Sequence, residues 1–409
     1  MFFSGLFQRK SHSPITTPSA LAEVIGLSYD TYTGKRISSQ QAMRLTAVFA
    51  CVKVLAESVG MLPCSLYRLS GGMKQRATKE RLHKLIAIQP NGYMTPQEFW
   101  ELLMACLCLR GNFYAYKVKV LGDVVELLPI DPGCVEPALN SNWESVYQVT
   151  FPDGSTDVLT QDDIWHVRTM TLDGLVGLNP IAYAREAIAL TAAMEEHGAR
   201  LFSNGAVTSG VLRTEQALSE QAYERLRKDF EARHTGLDNA HRPMILEMGL
   251  DWKSMALNAE DSQFLETRKF QLEEICRLFR VPLHMVQNTD RATFNNIEEL
   301  GLGFINYSLV PYLTRIEQRI NAGLVRESKQ GEFYAKFNAG ALLRGDMKSR
   351  FEAYATGINW GIYSPNDCRD LEDMNPRPDG DVYLTPMNMT TKPSDGSKAG
   401  NLKDDVNAN

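Results

Sequence analysis

The strongest pattern in the chain is a pair of helical stripes separated by a polar break. Between Asp261 and Val281, Leu265, Leu272, Cys276 and Phe279 recur at spacings of seven, four and three, on one face of a helix. Glu266, Arg268, Lys269, Glu273, Arg277 and Arg280 cover the other faces. Asp261 and Ser262 are suited to start this helix, and Pro282 predicts its stop at Val281. A second stripe begins at about Phe294 and runs through Ile297, Phe304, Leu309, Leu313, Ile316 and Ile320. Glu298 and Glu299 lie near its positive end, Arg315 and Arg319 near its negative end, as the helix dipole favours. Pro311 predicts a kink. Between the stripes, Gln287-Asn288-Thr289-Asp290-Arg291 is too polar to be buried. The expectation is two long helices presenting a polar loop at their junction.

The rest of the chain alternates helices and strands. Residues 11–37 are rich in Ser, Thr, Pro and Gly and read as a loose arm. Ser38 or Ser39 caps one helix with Met43, Ala47, Ala50, Val54 and Leu62 toward its inner side, ended by Pro63. Cys64–Leu69 reads as a strand turning at Gly71-Gly72. Thr95-Pro96-Gln97-Glu98 is a capping box before a helix that is apolar nearly all round. Strands follow at 113–120, 124–130, 146–151 and 164–168, with turns at Gly122-Asp123 and Pro152-Asp153-Gly154. Asn179 then caps an alanine-rich helix opened by Pro180 and running to Phe202, about 35 Å long at ~1.5 Å per residue. An insert, 206–257, holds a strand with Val211 and Leu212. Its helix starts at Ser219, with Tyr223, Leu226 and Phe230 inside and Arg225, Arg227, Lys228 and Arg233 outside. Two short strands complete it, at 243–248 and 252–257. After the kinked helix, Glu332–Asn338 reads as a strand; residues 391–409 are polar and read as disordered.

At 409 residues the chain has room for two or three domains, and 44% apolar with 22% charged residues is an ordinary globular balance. No run of eighteen apolar residues exists, so no transmembrane helix and no membrane partner are expected. The apolar start, Met1–Lys10, carries its positive charges after the apolar part and reads as an arm that packs on a neighbour rather than a signal peptide. An amphipathic anchor is the alternative. The seven cysteines are odd in number and lie mostly in apolar contexts, which fits reduced, buried thiols assembled in a cytoplasm. A formal charge of −6 argues against a tight, sequence-specific DNA binder. Each added phosphate contact would strengthen binding, and this balance supplies no excess of them.

No catalytic pattern holds up. HExxH, GxSxG and paired CxxC are absent. Cys106 and Cys108, two apart on a helix, point in different directions and suit no metal. DGLVGLNP (173–180) looks like a phosphate loop but lacks the Lys-Ser/Thr of a nucleotide P-loop; turn and cap are the better reading. His166 in an alternating strand has no Ser or Cys motif beside it and reads as structural. His284 follows Pro282 at a helix boundary and reads as a cap or packing residue. The basic stripe of Arg225, Arg227, Lys228 and Arg233 reads first as a solvated face. Aromatics do not interleave with basic residues as single-strand binders need, so any DNA contact falls on phosphates and carries no sequence information.

Four separated strings, in order, resemble one family. They are TAVFACVKVLAESVGMLPCSLYRL (46–69), HKLIAIQPNGYMTPQEFWELLMACLCLRGNFYAY (83–116), QFLETRKFQLEEICRLFRVP (263–282) and FNAGALLRGDMKSRFEAYATGINWGIYSPNDCRDLEDMNPRPDGD (337–381). Together they resemble the portal, or head–tail connector, proteins of tailed bacteriophages, in the branch typical of long, non-contractile-tailed phages. The last string departs from the family pattern at Asp367, where Glu is usual.

The resemblance implies an α+β portal fold in a ring of about twelve subunits at one capsid vertex of the virion, assembled in the host cytoplasm. It implies an arm (1–37), a wing (38–178), a stem helix (179–205), a clip (206–257), a second stem helix (258–282), a tunnel loop (283–293), a kinked wing helix (294–326), a crown region (327–390) and a disordered tail (391–409). Gln287, Asn288, Thr289, Asp290 and Arg291 would project into a channel for double-stranded DNA. Arg225, Arg227, Lys228 and Arg233 would face DNA or a motor. The implied partners are the terminase large subunit, head–tail adaptors, the major capsid protein and scaffold. No catalysis and no cofactor are implied. The competing expectations are a nucleotide-dependent hydrolase using Asp290, Arg291 and His284, and a monomeric DNA-binding module.

Overall fold

The structure, a computed structural model, describes residues 31–33, 37–70, 73–151, 153–203, 210–213, 219–234, 251–254, 260–286, 300–343, 347–372 and 374–385. Two compact units divide the chain, Met1–Leu342 and Leu343–Asn409.

The first unit opens with α1 (Ser39–Ala42), α2 (Thr46–Gly60) and the short α3 (Arg81–Ala87). Ser38 accepts from the Gln41 N–H and Gln41 returns the bond to the Ser38 N–H, a reciprocal cap. The single helix expected from the sequence is therefore broken at Met43–Leu45. Its inner face also differs. Val48, Cys51, Val52, Leu55, Ala56 and Val59 are buried, while Met43, Ala47, Ala50 and Val54 are only half-buried. The reason is that α2 packs against two helices, α4 (Pro96–Arg110) and α8 (Glu260–Phe279), which together select a different stripe.

The capping box of Thr95 and Glu98 opens α4. Its core side holds Phe99, Trp100, Leu103, Met104, Leu107 and Cys108, while Leu102 stays exposed, so the helix is buried on one side rather than all round. Phe99 and Trp100 meet Phe113, Trp165 and Phe337 at centroid separations of 5.2 to 6.4 Å, mostly edge-on, as ring quadrupoles favour. These five rings tie α4 to two different sheets.

One sheet has the order β4-β3-β8, from β3 (Asn112–Val120), β4 (Asp123–Ile130) and β8 (Ile164–Arg168). The β3–β4 turn is Leu121-Gly122, both left-handed, one residue before the expected pair. A second sheet, β5-β6-β7, uses β5 (Val135–Leu139), β6 (Ser145–Thr150) and β7 (Thr156–Thr160). Strands β5 and β7 have little apolar alternation, which is why the sequence pattern did not announce them. The third sheet, β11-β1-β2, pairs β1 (Cys64–Ser70) with β2 (Met73–Arg76) and with β11 (Phe333–Phe337) from far along the chain. Strand β11 is an edge. Its outward N–H groups at Ala335 and Phe337 are taken by Asn321 Oδ1 and Glu317 Oε1 of α9 (Val310–Gly323), which closes the edge to further pairing. The stretch 327–342, grouped from the sequence with the crown, thus lies in the first unit through the β1–β11 ladder.

The chain is helical from 300 and Phe304–Leu309 is a π-helical turn leading into α9. The irregularity expected at Pro311 sits just before it. Proline lacks an N–H and its ring crowds the carbonyl four residues back, so a widened turn there accommodates both. Phe304, Leu309, Leu313, Ile316 and Ile320 are all buried, as their spacing predicts. The segment 294–299 lies outside the described residues, as do the Gly71-Gly72 turn and the expected strand at 243–248.

In the second unit, α10 (Met347–Asn359) leads to α11 (Pro365–Leu371). Ser364 and Asp367 form a capping box, and Asp367 also accepts from Tyr383 Oη at 3.0 Å. The shorter Asp at this position therefore completes the cap that Glu would make. Arg350 Nη2 meets Glu372 at 3.0 Å, and Tyr354 Oη donates to the same carboxylate at 2.8 Å.

Candidate functional site

The sequence points to the paired helices and the loop between them. The first helix is itself two pieces: α5 (Pro180–Tyr183), capped by Asn179, and α6 (Arg185–Ser203), separated at Ala184. Helices α6 and α8 lie side by side. Ile188 and Ala189 of α6 and Gln271, Ile275, Cys276 and Phe279 of α8 are buried. Small residues on α6 let the backbones approach. Within this apolar seam the Thr191 hydroxyl has two acceptors, Gln271 Oε1 at 3.1 Å and its own-turn Ala187 O at 2.9 Å. Sequence reasoning missed this tie; the signal was one Gln beside an apolar stripe.

Helix α8 ends at Phe279, two residues before the stop that Pro282 predicts. Arg280 is left-handed (φ 55°); its N–H reaches Arg277 O at 3.2 Å, and the Val281 N–H reaches Cys276 O at 3.0 Å. This 6→1 and 5→2 pair is a Schellman turn, with Arg where Gly is usual. Ser308 Oγ, in the π-helical turn, then donates to Arg280 O. A 3-10 turn, Leu283–Met285, follows. The described chain on either side of residues 287–299 is thus tied together at Arg280 and Ser308. The loop residues Gln287, Asn288, Thr289, Asp290 and Arg291 lie outside the described residues. His284 is half-buried in the 3-10 turn, the boundary position its sequence suggested.

The insert contributes β9 (Gly210–Arg213), paired antiparallel with β10 (Asp251–Ser254), and α7 (Glu220–His234), capped by Ser219. Arg225, Arg227 and Lys228 are exposed on α7; Arg233 belongs to α7, and its side chain is not among those described. Tyr223, expected inside, is 55% exposed.

The DGLVGLNP loop has a structural task. Asp173 Oδ1 accepts the N–H groups of Leu175 and Val176 at 2.8 and 2.9 Å, so donors that could have held a phosphate are already used. Gly177 runs against Gly111: a Cβ on Gly177 would lie 2.2 Å from Gly111 O, and one on Gly111 2.0 Å from Leu178 O. Asn112 staples the crossing. Its Nδ2 donates to Gly177 O at 3.0 Å, and its Oδ1 accepts from the Gly177 N–H at 2.8 Å.

His166 completes that network. Asn112 Oδ1 is an acceptor, so the His166 nitrogen 3.0 Å away, Nε2, carries the proton. Nδ1 then accepts from Tyr147 Oη at 3.4 Å, and the ring stacks on Tyr114 at 4.4 Å. Burial, helped by Arg168 and Arg319, pushes its pKa down to about 3. Both ring nitrogens are engaged, so the group is structural, as the sequence suggested. The pH dependence follows. The unfolded chain takes up a proton near pH 6.5, whereas the native ring does so only near 3. Stability should fall as pH drops through that window, by up to about 1.4 kcal/mol per pH unit. Denaturant midpoints measured between pH 7.5 and 4.5 check this; a His166→Gln variant with an unchanged slope would refute it.

His166, Tyr147, Lys117 and Arg319 line a cavity of about 730 Å³ between the β5-β6-β7 sheet and the end of α9. Lys117 Nζ bridges Gln161 O at 2.9 Å and Gly323 O at 3.3 Å, and burial lowers its pKa to about 8. Together with the Trp165 indole, which donates to Arg319 O at 2.9 Å, this pins α9 to the β4-β3-β8 sheet. Among the described residues no group of three or more His, Cys, Asp or Glu is placed to hold a metal, and no helix is long and apolar enough to cross a membrane.

The sequence profile of the family described as "Phage portal protein" matches residues 46–373. The chain belongs to that family. It is 32% identical to the "Probable portal protein" of Streptomyces phage phiC31 over 415 residues, covering 95% of this chain and 89% of that protein. It is 31% identical to the "Portal protein" of Enterobacteria phage HK97 over 377 residues, 90% of this chain and 88% of that one. Among solved structures, the portal fold here resembles a chain from the neck of a native gene transfer agent particle computed with C12 symmetry, with a TM-score of 0.57 and 25% identity, covering 83% of this chain and 94% of that one. The mixed helix-and-sheet architecture is thus that of portal proteins.

Proposed function

We propose that this chain assembles as the portal ring at one vertex of a phage head, forming the channel through which double-stranded DNA enters and leaves. The observation that supports the reading is the α6–α8 pair, with the chain before and after residues 287–299 tied together by the Ser308–Arg280 bond, in a chain of the portal family. Repeated about an axis, such pairs make a wall, and the Gln287–Arg291 segments become its inner constriction. Rings of this kind close through heterologous contacts, one face of each subunit meeting a different face of the next. The exposed Tyr223 face of α7 is then available to a neighbour or docking protein, with Arg225, Arg227, Lys228 and Arg233 on the polar side. Terminase, head–tail adaptors, capsid protein and scaffold are the proposed partners. The domain names arm, wing, stem, clip and crown belong to this proposal, as does the virion location with assembly in the host cytoplasm.

No hydrolysis is assigned to the chain. Among the described residues the one buried histidine has both nitrogens occupied, and the glycine loop spends its Leu175 and Val176 N–H groups on Asp173. The direct test is native mass spectrometry of purified chain. About twelve copies of 45.9 kDa give roughly 550 kDa. A particle that stays at one subunit under every condition defeats the proposal and favours the monomeric DNA-binding module, which would instead show a steep salt slope in filter binding.

A further inference from the structure

Cys51 of α2 and Cys276 of α8 face each other inside the first unit, with Sγ atoms 3.8 Å apart, 0% and 3% exposed. They come from positions 225 residues apart. A disulfide needs a separation of ~2.05 Å, so the sulfurs must close by about 1.8 Å. All seven cysteines are free in the structure.

We propose that Cys51 and Cys276 form a disulfide that clamps α8 onto α2 when the particle leaves a reducing cell interior. The functional timing rests on the portal reading; the chemistry rests only on the pair. Cysteines stay reduced in a cytoplasm and become oxidisable outside it. A virion crosses that boundary once, after its genome is in place. Helix α8 leads into the polar loop, so a bond at Cys276, four residues before Arg280, stiffens the support of the loop at the stage when DNA must be retained.

The pair is chemically asymmetric. Either sulfur can donate to the other; when one ionises, the remaining S–H stabilises the thiolate, which raises the Cys51 pKa and lowers that of Cys276. The Cys276 thiolate is therefore the attacking sulfur. With a small-molecule disulfide RSSR, it forms Cys276–S–SR and releases one RS⁻. Cys51 then gives its proton to solvent and attacks the Cys276 sulfur. The bond to SR breaks, and the second RS⁻ leaves. Two protein thiols are oxidised by two electrons and one RSSR is reduced to two thiols. Because both sulfurs are buried, the reaction proceeds through local opening of the α2–α8 contact.

The test uses full-length native protein treated with hydroxyethyl disulfide. The intact mass should fall by about 2 Da per chain, for two hydrogens lost. Peptide mapping after unfolding and alkylation should show Cys51 joined to Cys276, with the other five cysteines alkylated. The thermal midpoint should rise by several degrees and return on adding dithiothreitol. A Cys51→Ala variant should show neither change. Both thiols alkylated after native oxidation, or Cys51 joined to Cys108 instead, would overturn the proposal. Native mass measured on the same samples separates the two ideas: rings without the bond refute the clamp alone, and the bond in a lone subunit refutes the portal reading alone.

Discussion

Replacing Gly111 by alanine is expected to destabilise the first unit by about 3–4 kcal/mol, among the larger effects a single methyl can have. Two costs combine at this residue. Gly111 ends α4 in the left-handed region (φ 76°), where a Cβ costs roughly 1 kcal/mol or more. That Cβ would also lie 2.0 Å from Leu178 O and 2.6 Å from Leu178 C, which are backbone atoms and cannot rotate away. The loop under it is held by Asn112 and leads straight into Asn179, the cap of α5. The change should therefore displace the start of the first paired helix as well as weaken the core. A glycine series separates the causes. Gly174→Ala carries the left-handed cost alone, since nothing lies within 4 Å of its Cβ, and should cost about 1 kcal/mol. Gly177→Ala carries the clash alone, 2.2 Å from Gly111 O. Gly92→Ala carries neither and should stay within about 0.5 kcal/mol. Chemical denaturation of the four variants checks the order. A Gly111→Ala loss no larger than that of Gly174→Ala would show that the crossing is not the tight contact described.

Phage carrying Gly-Ser residues in place of Asn288–Arg291 are expected to build rings of normal mass but to yield mostly particles without a full genome. The proposed loop lies between two fixed points, Val286 at the end of a 3-10 turn and the helix from 300 onward. Its native residues offer Asp290 and Arg291 to a duplex that carries one charge per ~1.7 Å of axis. A Gly-Ser chain of the same length has neither charge nor stiffness. The rest of the proposed wall, built from α6 and α8, is untouched, so assembly should not respond. Ring mass by native mass spectrometry and DNA content per particle by sedimentation are the paired measurements. Normal yield with normal genome content would remove the loop from the proposed mechanism.

Local signals on the sequence were enough where one residue and its near neighbours decide the outcome. The Thr95 capping box and the caps at Ser38 and Asn179 formed as their letters predict, because a side-chain oxygen three residues from an unpaired N–H has little else to do. The apolar line from Phe304 to Ile320 was legible for the same reason: burial on one helix face leaves a period in the chain. The four family strings fixed the fold class without any geometry. What the sequence could not decide were contacts between distant segments. The inner face of α2 is chosen by α4 and α8; strand β11 joins β1 across more than half the chain; Gly111 and Gly177 are tight only because two turns cross; and Cys51 meets Cys276 only after α8 docks. Periodicity records that a face is buried. It holds no record of what lies opposite, since that partner is selected by the packing of the whole unit.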